Sequence, residues 1–231
     1  MIELFPEGFE ELDTDGAVEL VAYTSGDGEE RLWRTFGGAN AADVESGWED
    51  RWRDFHRPVV VGGLWIGPPW ETPPGNLPAV VIDPARAFGT GSHPTTRLCV
   101  ELLAERPRGG VLDVGCGSGV LAIAAARLGH GPVLAIDDDP VAVETTSANA
   151  VANGVEVDAR VLDATTGELP AADLVVANIA PGPVASLSGR VRCAAAVTSG
   201  YLVSDAPSLA GFAVAERRQI DGWAADLHLP E

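Results

Sequence analysis

The run Asp113-Val114-Gly115-Cys116-Gly117-Ser118-Gly119 sets three glycines at alternate positions behind a carboxylate. Val111 and Leu112 precede it, and an apolar run from Val120 to Leu128 follows. The pattern reads as strand, tight turn, helix. Glycine admits positive φ and leaves room for a ligand to approach the backbone. The helix start offers free N–H groups. Two cofactor classes use such a turn. Dinucleotide folds space their glycines G-x-G-x-x-G and seat a pyrophosphate on the helix start. Here the spacing is G-x-G-x-G, and Asp113 stands two residues before the first glycine. A carboxylate there repels a pyrophosphate and suits a cation, such as the amino group of S-adenosyl-L-methionine. An ordinary strand-to-helix turn remains the plain alternative.

A second acid strengthens the ligand reading. Pro132 to Ile136 is a short apolar strand ending at Asp137, 22 residues after Gly115. Dinucleotide folds place a ribose-binding acid about 20 residues beyond their glycines, and adenosyl cofactors carry the same ribose diol. Capping of the helix that starts near Pro140 is the alternative role, but Asp138 and Asp139 serve it equally well. Glu156 to Leu162 reads as a third strand, ending at Asp163, where a carboxylate can accept a hydrogen bond from an adenine amino group. Ala172 to Ala177 reads as a fourth, ending at Asn178.

Strands alternating with helices imply a parallel sheet with helices on both faces, and ligands in such sheets lie beyond the carboxyl ends of the strands. Asp113, Asp137, Asp163 and Asn178 all fall at those ends. The expected fold is α/β, a parallel sheet with helices on both faces, preceded by a small amino-terminal appendage. The division expected is residues 1–75 for the amino-terminal appendage and 76–231 for the cofactor-binding domain. Ala17 to Tyr23 and Arg31 to Phe36 read as a hairpin around Ser25-Gly26-Asp27-Gly28. Ala42 to Phe55 reads as a helix with Val44, Trp48, Arg51, Trp52 and Phe55 recurring on one face. Short strands follow at Pro58 to Val61, Leu64 to Ile66 and Ala79 to Ile82, and a helix runs from Pro94 to about Glu105 with Pro in its first turn. Helices are also expected from Pro183 to about Ala195 and near Pro207 to Phe212. Phe212 to Ile220 and Trp223 to Leu229 should close the fold as an antiparallel pair.

The segment Asp83 to Thr96 is too rich in glycine and hydroxyls for a plain linker. Glycines flank Thr90, so the loop can fold over a ligand; a capped helix start is the other reading. This loop and the strand ends together resemble the ribosomal protein L-eleven methyltransferase family, within the seven-stranded, S-adenosyl-L-methionine-dependent methyltransferases, which implies a Rossmann-like, seven-stranded, mostly parallel sheet with a small amino-terminal α+β appendage for substrate recognition. The likeness is densest in Trp65-Ile66-Gly67-Pro68-Pro69-Trp70, in Ile82 to Thr96, in Asp113 to Gly119, in Ile136 to Pro140 and in Ala177-Asn178-Ile179. Methyltransferases in general share the glycine turn; the Phe-Gly-Thr-Gly-x-His-Pro-Thr-Thr loop is particular to this family. The resemblance implies that Thr96, Gly115, Asp137 and Asn178 bind the cofactor. Asp113, Gly117 and Gly119 belong to the same cradle, and Phe88 and Thr90 are assigned to it from the loop. Asn178 is the candidate catalytic residue, orienting the amine or the methionine end of the cofactor. His93 is a candidate base or a structural histidine holding the loop.

The implied activity is methyl transfer to amines of a protein, lysine side chains or an N-terminal amine, with a ribosomal protein as the implied partner. The family's amino-terminal domain is normally larger than the stretch that precedes Trp48, so a small molecule or another protein is the alternative acceptor. A non-catalytic cofactor-binding scaffold is the alternative of another class. A net charge of −19, with all 15 basic residues arginine, disfavours direct nucleic-acid binding, which needs basic residues on phosphates. No apolar run approaches the roughly 18 residues of a membrane span. Met1 to Phe5 lacks the marks of a signal peptide, and Cys99, Cys116 and Cys193 are too scattered for a disulfide framework or a zinc site. A cytoplasmic protein without metal is expected.

Overall fold

The computed structural model describes residues 10–14, 17–21, 32, 34–36, 57–83 and 91–231. The chain divides into two compact units, 1–50 and 51–231.

In the first unit, β1 (Glu10–Thr14) pairs antiparallel with β2 (Ala17–Val21), Thr14 opposite Ala17. This corrects the expected hairpin. Ala17–Val21 is a strand, but its partner precedes it, and the described residues of the second expected strand, Leu32 and Arg34 to Phe36, are helical. Asp15-Gly16 is a shorter and stronger hairpin signal than Ser25 to Gly28. The helix expected over Ala42 to Phe55 lies outside the described residues.

The second unit opens with a three-stranded sheet, β3 (Val59–Val61), β4 (Leu64–Gly67) and β5 (Ala79–Val81), in the order β3-β4-β5. Its apolar face joins a core with α1 (Pro94–Ala104), α2 (Val120–Arg127) and α3 (Pro140–Asn153). Asn153, 6% exposed, mimics a neighbouring strand: its Nδ2 donates to Val81 O at 2.7 Å and its Oδ1 accepts from Val81 N at 2.8 Å. Each helix begins where local chemistry allows. Pro94 and Pro140 hold first-turn positions behind the caps His93 and Asp139, and Gly154, with φ 63°, ends α3.

The main sheet contains β6 (Val111–Val114), β7 (Val133–Asp137), β8 (Asp158–Val161), β9 (Leu174–Asn178), β10 (Ala195–Leu202), β11 (Phe212–Ile220) and β12 (Trp223–Pro230). Their order is β11-β12-β10-β9-β6-β7-β8. The pairs from β10 through β8 are parallel, and β12 runs antiparallel to both neighbours. The central strands β6 and β9 are unbroken apolar runs apart from Asp113 and Asn178, as burial on two faces requires. The expected β11–β12 pair forms, with Asp221 and Gly222 at φ 50° and 80° in its turn.

The two faces are covered unequally. One carries α1, α2 and α3; the other is closed by α4 (Pro181–Ser186) and by loops anchored at Leu169 and Leu209. The helix expected from Pro183 to Ala195 stops at Ser186, because Gly189 turns the chain at φ 70° and Ala195 begins β10. No helix forms near Pro207; Leu209 is 2% exposed and anchors that segment without one. Among the described residues, no helix is long and apolar enough to cross a membrane.

Asn153→Leu removes both bonds to Val81 and leaves a partly buried N–H and C=O unpaired. We expect it to lower the unfolding free energy by roughly 2 kcal/mol, read by urea denaturation. A loss below about 0.5 kcal/mol would show that Asn153 does not join the small sheet to α3.

Candidate functional site

A cavity of about 340 Å³ opens where the parallel strands end. Gly115, Cys116 and Gly117 after β6 form its floor, Asp137 and Asp138 its side at β7, and Leu162 to Thr165 its side after β8. Asn178 and Ile179 after β9, with Thr96 from α1 and Pro183 from α4, close the opposite side. Thr96, Gly115, Gly117, Asp137, Asp163 and Asn178 therefore come together as the sequence suggested.

The glycine turn is held from both sides. Gly115 N and Cys116 N donate to Ile136 O at 2.8 and 3.1 Å. Asp137 Oδ2 accepts from Gly117 N at 3.0 Å, and its Oδ1 accepts from Asp139 N at 3.1 Å. Asp137 thus links the turn after β6 to the turn that starts α3. Behind the turn, Thr146 Oγ1 donates to Gly117 O at 3.0 Å and Asn149 Nδ2 to Ser118 O at 2.9 Å. These two α3 residues were not anticipated. Their only trace in the sequence is a pair of polar residues three apart on a helix, which ordinarily marks a solvated face. Gly119 caps α2 at φ 81°, and a Cβ on it would lie 2.9 Å from Thr146 side-chain atoms. It shapes the turn and does not line the cavity.

Asp113 does not line the cavity either. It is 1% exposed, and its Oδ2 accepts from Ala122 N at 3.0 Å, fastening α2 to β6. Its Oδ1 is buried without a hydrogen-bond partner. Burial pushes the carboxyl up to about 7; the Ala122 N–H pulls it back, and the nearby Asp137 charge adds to the rise. Asp163 is the opposite case. Thr165 Oγ1 and N and Thr166 Oγ1 all donate to it, and they hold it down at about 2. It stays an ionised acceptor at any ordinary pH.

Asn178 Nδ2 donates to Thr96 Oγ1 at 3.3 Å, joining β9 to the start of α1. His93 is committed to the same helix start: Nδ1 lies 2.8 Å from Thr95 Oγ1, and the ring meets Trp223 edge-on at 4.8 Å. Partial burial lowers its pKa. Phe88 and Thr90 lie outside the described residues.

Among the described residues, three carboxylates, Asp137, Asp138 and Asp163, line the cavity, and no arginine or histidine does. Such a lining repels a pyrophosphate and accepts a cationic or hydroxyl-bearing ligand. The residues fit an adenosyl cofactor on two counts: the acceptor at Asp137 and the glycine floor. The charges are also unevenly spread. The acids belong to β7 and β8, while the β9 side is lined by Asn178, Ile179, Thr96 and Pro183, all neutral. At about 4.8 Å per strand, β9 and β7 stand roughly 10 Å apart across the glycine turn.

Residues 17–225 match the sequence model of the ribosomal protein L11 methyltransferase (PrmA) family. A ribosomal protein L11 methyltransferase of Myxococcus xanthus is 46% identical over 143 residues, covering 57% of this chain and 48% of the relative. One from Pelotomaculum thermopropionicum is 41% identical over 203 residues, 78% of this chain and 65% of the relative. The chain thus spans about half to two thirds of the length of these relatives. A ribosomal protein L11 methylase crystal structure from Lactobacillus delbrueckii subsp. bulgaricus superposes with a TM-score of 0.63 at 27% identity, over 73% of this chain and 95% of that one.

The raised Asp113 carboxyl has a consequence for stability. An unfolded aspartate titrates near 3.9, so between about 4 and 7 the native state keeps a proton that the unfolded chain has released. Native stability therefore falls as pH rises across that window and levels off above it. Asp113→Asn should flatten this part of the profile, measured by urea unfolding of the ligand-free protein in pH steps. An unchanged slope would assign the dependence elsewhere.

Proposed function

This chain belongs to the ribosomal protein L11 methyltransferase family, and on that premise we propose that it transfers methyl groups from S-adenosyl-L-methionine to amines of a protein, a ribosomal protein first among them. The observation that carries the reading is the cavity lining: a glycine floor, an acidic β7–β8 side and a neutral β9 side. The cofactor, when bound, supplies an electrophilic methyl group on a sulfonium. The residues of the chain do the rest.

Asp137 accepts from the ribose hydroxyls, and the Gly115 to Gly117 backbone allows the close approach of the methionine end. Asp163, fixed as an anion by its threonines, accepts from the adenine amino group. Asn178 carries the acceptor side. Its Nδ2 is directed to Thr96, which turns its Oδ1 to the incoming amine as a hydrogen-bond acceptor. An attacking lysine must be neutral, and its reference pKa is about 10.4. Carboxylates beside it would hold it charged. The neutral lining of Thr96, Asn178, Ile179 and Pro183 avoids this, and desolvation there favours the free amine. Alignment of two reactants in such a cleft supplies roughly 7–11 kcal/mol of a barrier. No covalent enzyme intermediate is required. The protein is proposed to act in the cytoplasm, and its net charge of −19 suits a basic protein partner.

Asp137→Ala should weaken binding of S-adenosyl-L-methionine and S-adenosylhomocysteine by about 1.5–3 kcal/mol in calorimetric titration, with NAD not binding either protein. Tight NAD binding would overturn the cofactor assignment. Asn178→Ala should reduce kcat on a purified ribosomal acceptor by about a hundredfold, or roughly 2.7 kcal/mol, with little change in cofactor affinity. Turnover within about twofold of the parent would remove Asn178 from the chemistry.

A further inference from the structure

Ile179 follows Asn178 at the end of β9 and stands between two glycines. Gly200 lies in the bulge of β10, between Ser199 and Tyr201, with φ 98°. A Cβ on Gly200 would stand 2.3 Å from Ile179 O, 2.7 Å from its carbonyl carbon and 2.9 Å from its nitrogen. Gly115, on the other side, has φ 70°, and a Cβ there would stand 2.3 Å from Ile179 Cγ2. Both separations are far inside van der Waals contact. Ile179 N also donates to Ser199 O at 3.0 Å. One residue is thus gripped through its backbone by β10 and through its β-branch by the turn after β6.

The β10 side of this grip is braced from the face that α4 and the loops cover. The Tyr201 hydroxyl lies 2.9 Å from Asp226 Oδ2 and 2.7 Å from Thr198 Oγ1. Asp226 is fully buried and accepts from Arg217 Nε and Nη2, both at 2.7 Å. Ser199 Oγ donates to Ala224 O at 2.7 Å. The residues on both sides of Gly200 are therefore bonded to β12, and the bulge cannot slide without breaking buried polar contacts.

We propose that Ile179 is a positioning residue: clamped between the Gly200 bulge and the Gly115 turn, it fixes where the Asn178 carboxamide stands. The proposal rests on the reading of Asn178 given above. The clamp has an asymmetry that makes it testable. Gly115 meets only the side chain of Ile179, so truncating Ile179 removes that contact. Gly200 meets its backbone, which no side-chain substitution moves.

The experiment follows the Asn178 side-chain amide signals by NMR in the ligand-free protein, with kcat and cofactor affinity measured beside them. Ile179→Ala should displace or broaden the Asn178 signals. It should lower kcat by about tenfold or more while S-adenosylhomocysteine affinity stays within about threefold. Ile179→Val keeps the Cγ2 branch and should restore most of both losses. Gly115→Ala should change the Asn178 signals in the parent and change them less in the Ile179→Ala background, where the strain of its positive φ remains but the clash with Cγ2 is gone. Gly200→Ala should add its full effect in either. Should Gly200→Ala fail to fold, the Ile179 and Gly115 variants carry the test alone. Asn178 signals that stay in place in both Ile179→Ala and Gly115→Ala would overturn the clamp. If the signals respond as described but the parent protein transfers no methyl group to any acceptor, the clamp stands and the methyl-transfer reading falls.

Discussion

Parallel pairing of β10, β9, β6, β7 and β8 is the constraint from which the rest follows. Strands that run the same way end at one edge, and each connection must leave from that edge. The pairings Val114 with Ala177 and Ile136, and Asn178 with Ser199, bring the last residues of the strands level. A polar residue at the end of any of these strands then faces the same cavity. Asp137, Asp163 and Asn178 are far apart in sequence and share a site for this reason alone.

Such an edge has a cost, since the connecting turns carry backbone groups that no strand pairs. The protein meets it largely with side chains from α3 and with Asp137. Thr146 and Asn149 donate to carbonyls of the glycine turn, and Asp137 accepts from its N–H. These bonds leave the turn with little freedom to reorganise around a ligand, which is the condition for preorganised binding. Surroundings give two carboxylates near this edge, one within β6 and one after β8, opposite fates. Asp113 faces inward, is stripped of water and rises toward neutrality; Asp163 faces three donors and stays charged.

The distribution of charge within the cavity carries more functional meaning than the net charge. Thirty-four acidic residues describe a surface, whereas the division between an acidic β7–β8 side and a neutral β9 side separates two tasks. Under the proposed function, one side recognises the hydroxyl and amino groups of a nucleoside, and the other takes an amine out of water without holding its proton.

The sequence by itself determined the strand–turn–helix around Asp113 to Gly119, the strands ending at Asp137 and Asn178, the strand just before Asp163, the closing β11–β12 pair and the family likeness. These are local signals: apolar runs of strand length, glycines where positive φ is needed, prolines at helix starts. It failed where the outcome depended on what lay opposite. The helix-free segment around Leu209 follows from the core that this residue packs into. Only the tertiary structure separated Asp113 from the cavity lining, because alternation along β6 sends its side chain under α2 while its neighbours reach the turn. Only the tertiary structure showed Ile179 between Gly115 and Gly200. Those glycines are 85 positions apart in the chain, and the space each leaves is visible only when β6, β9 and β10 lie side by side.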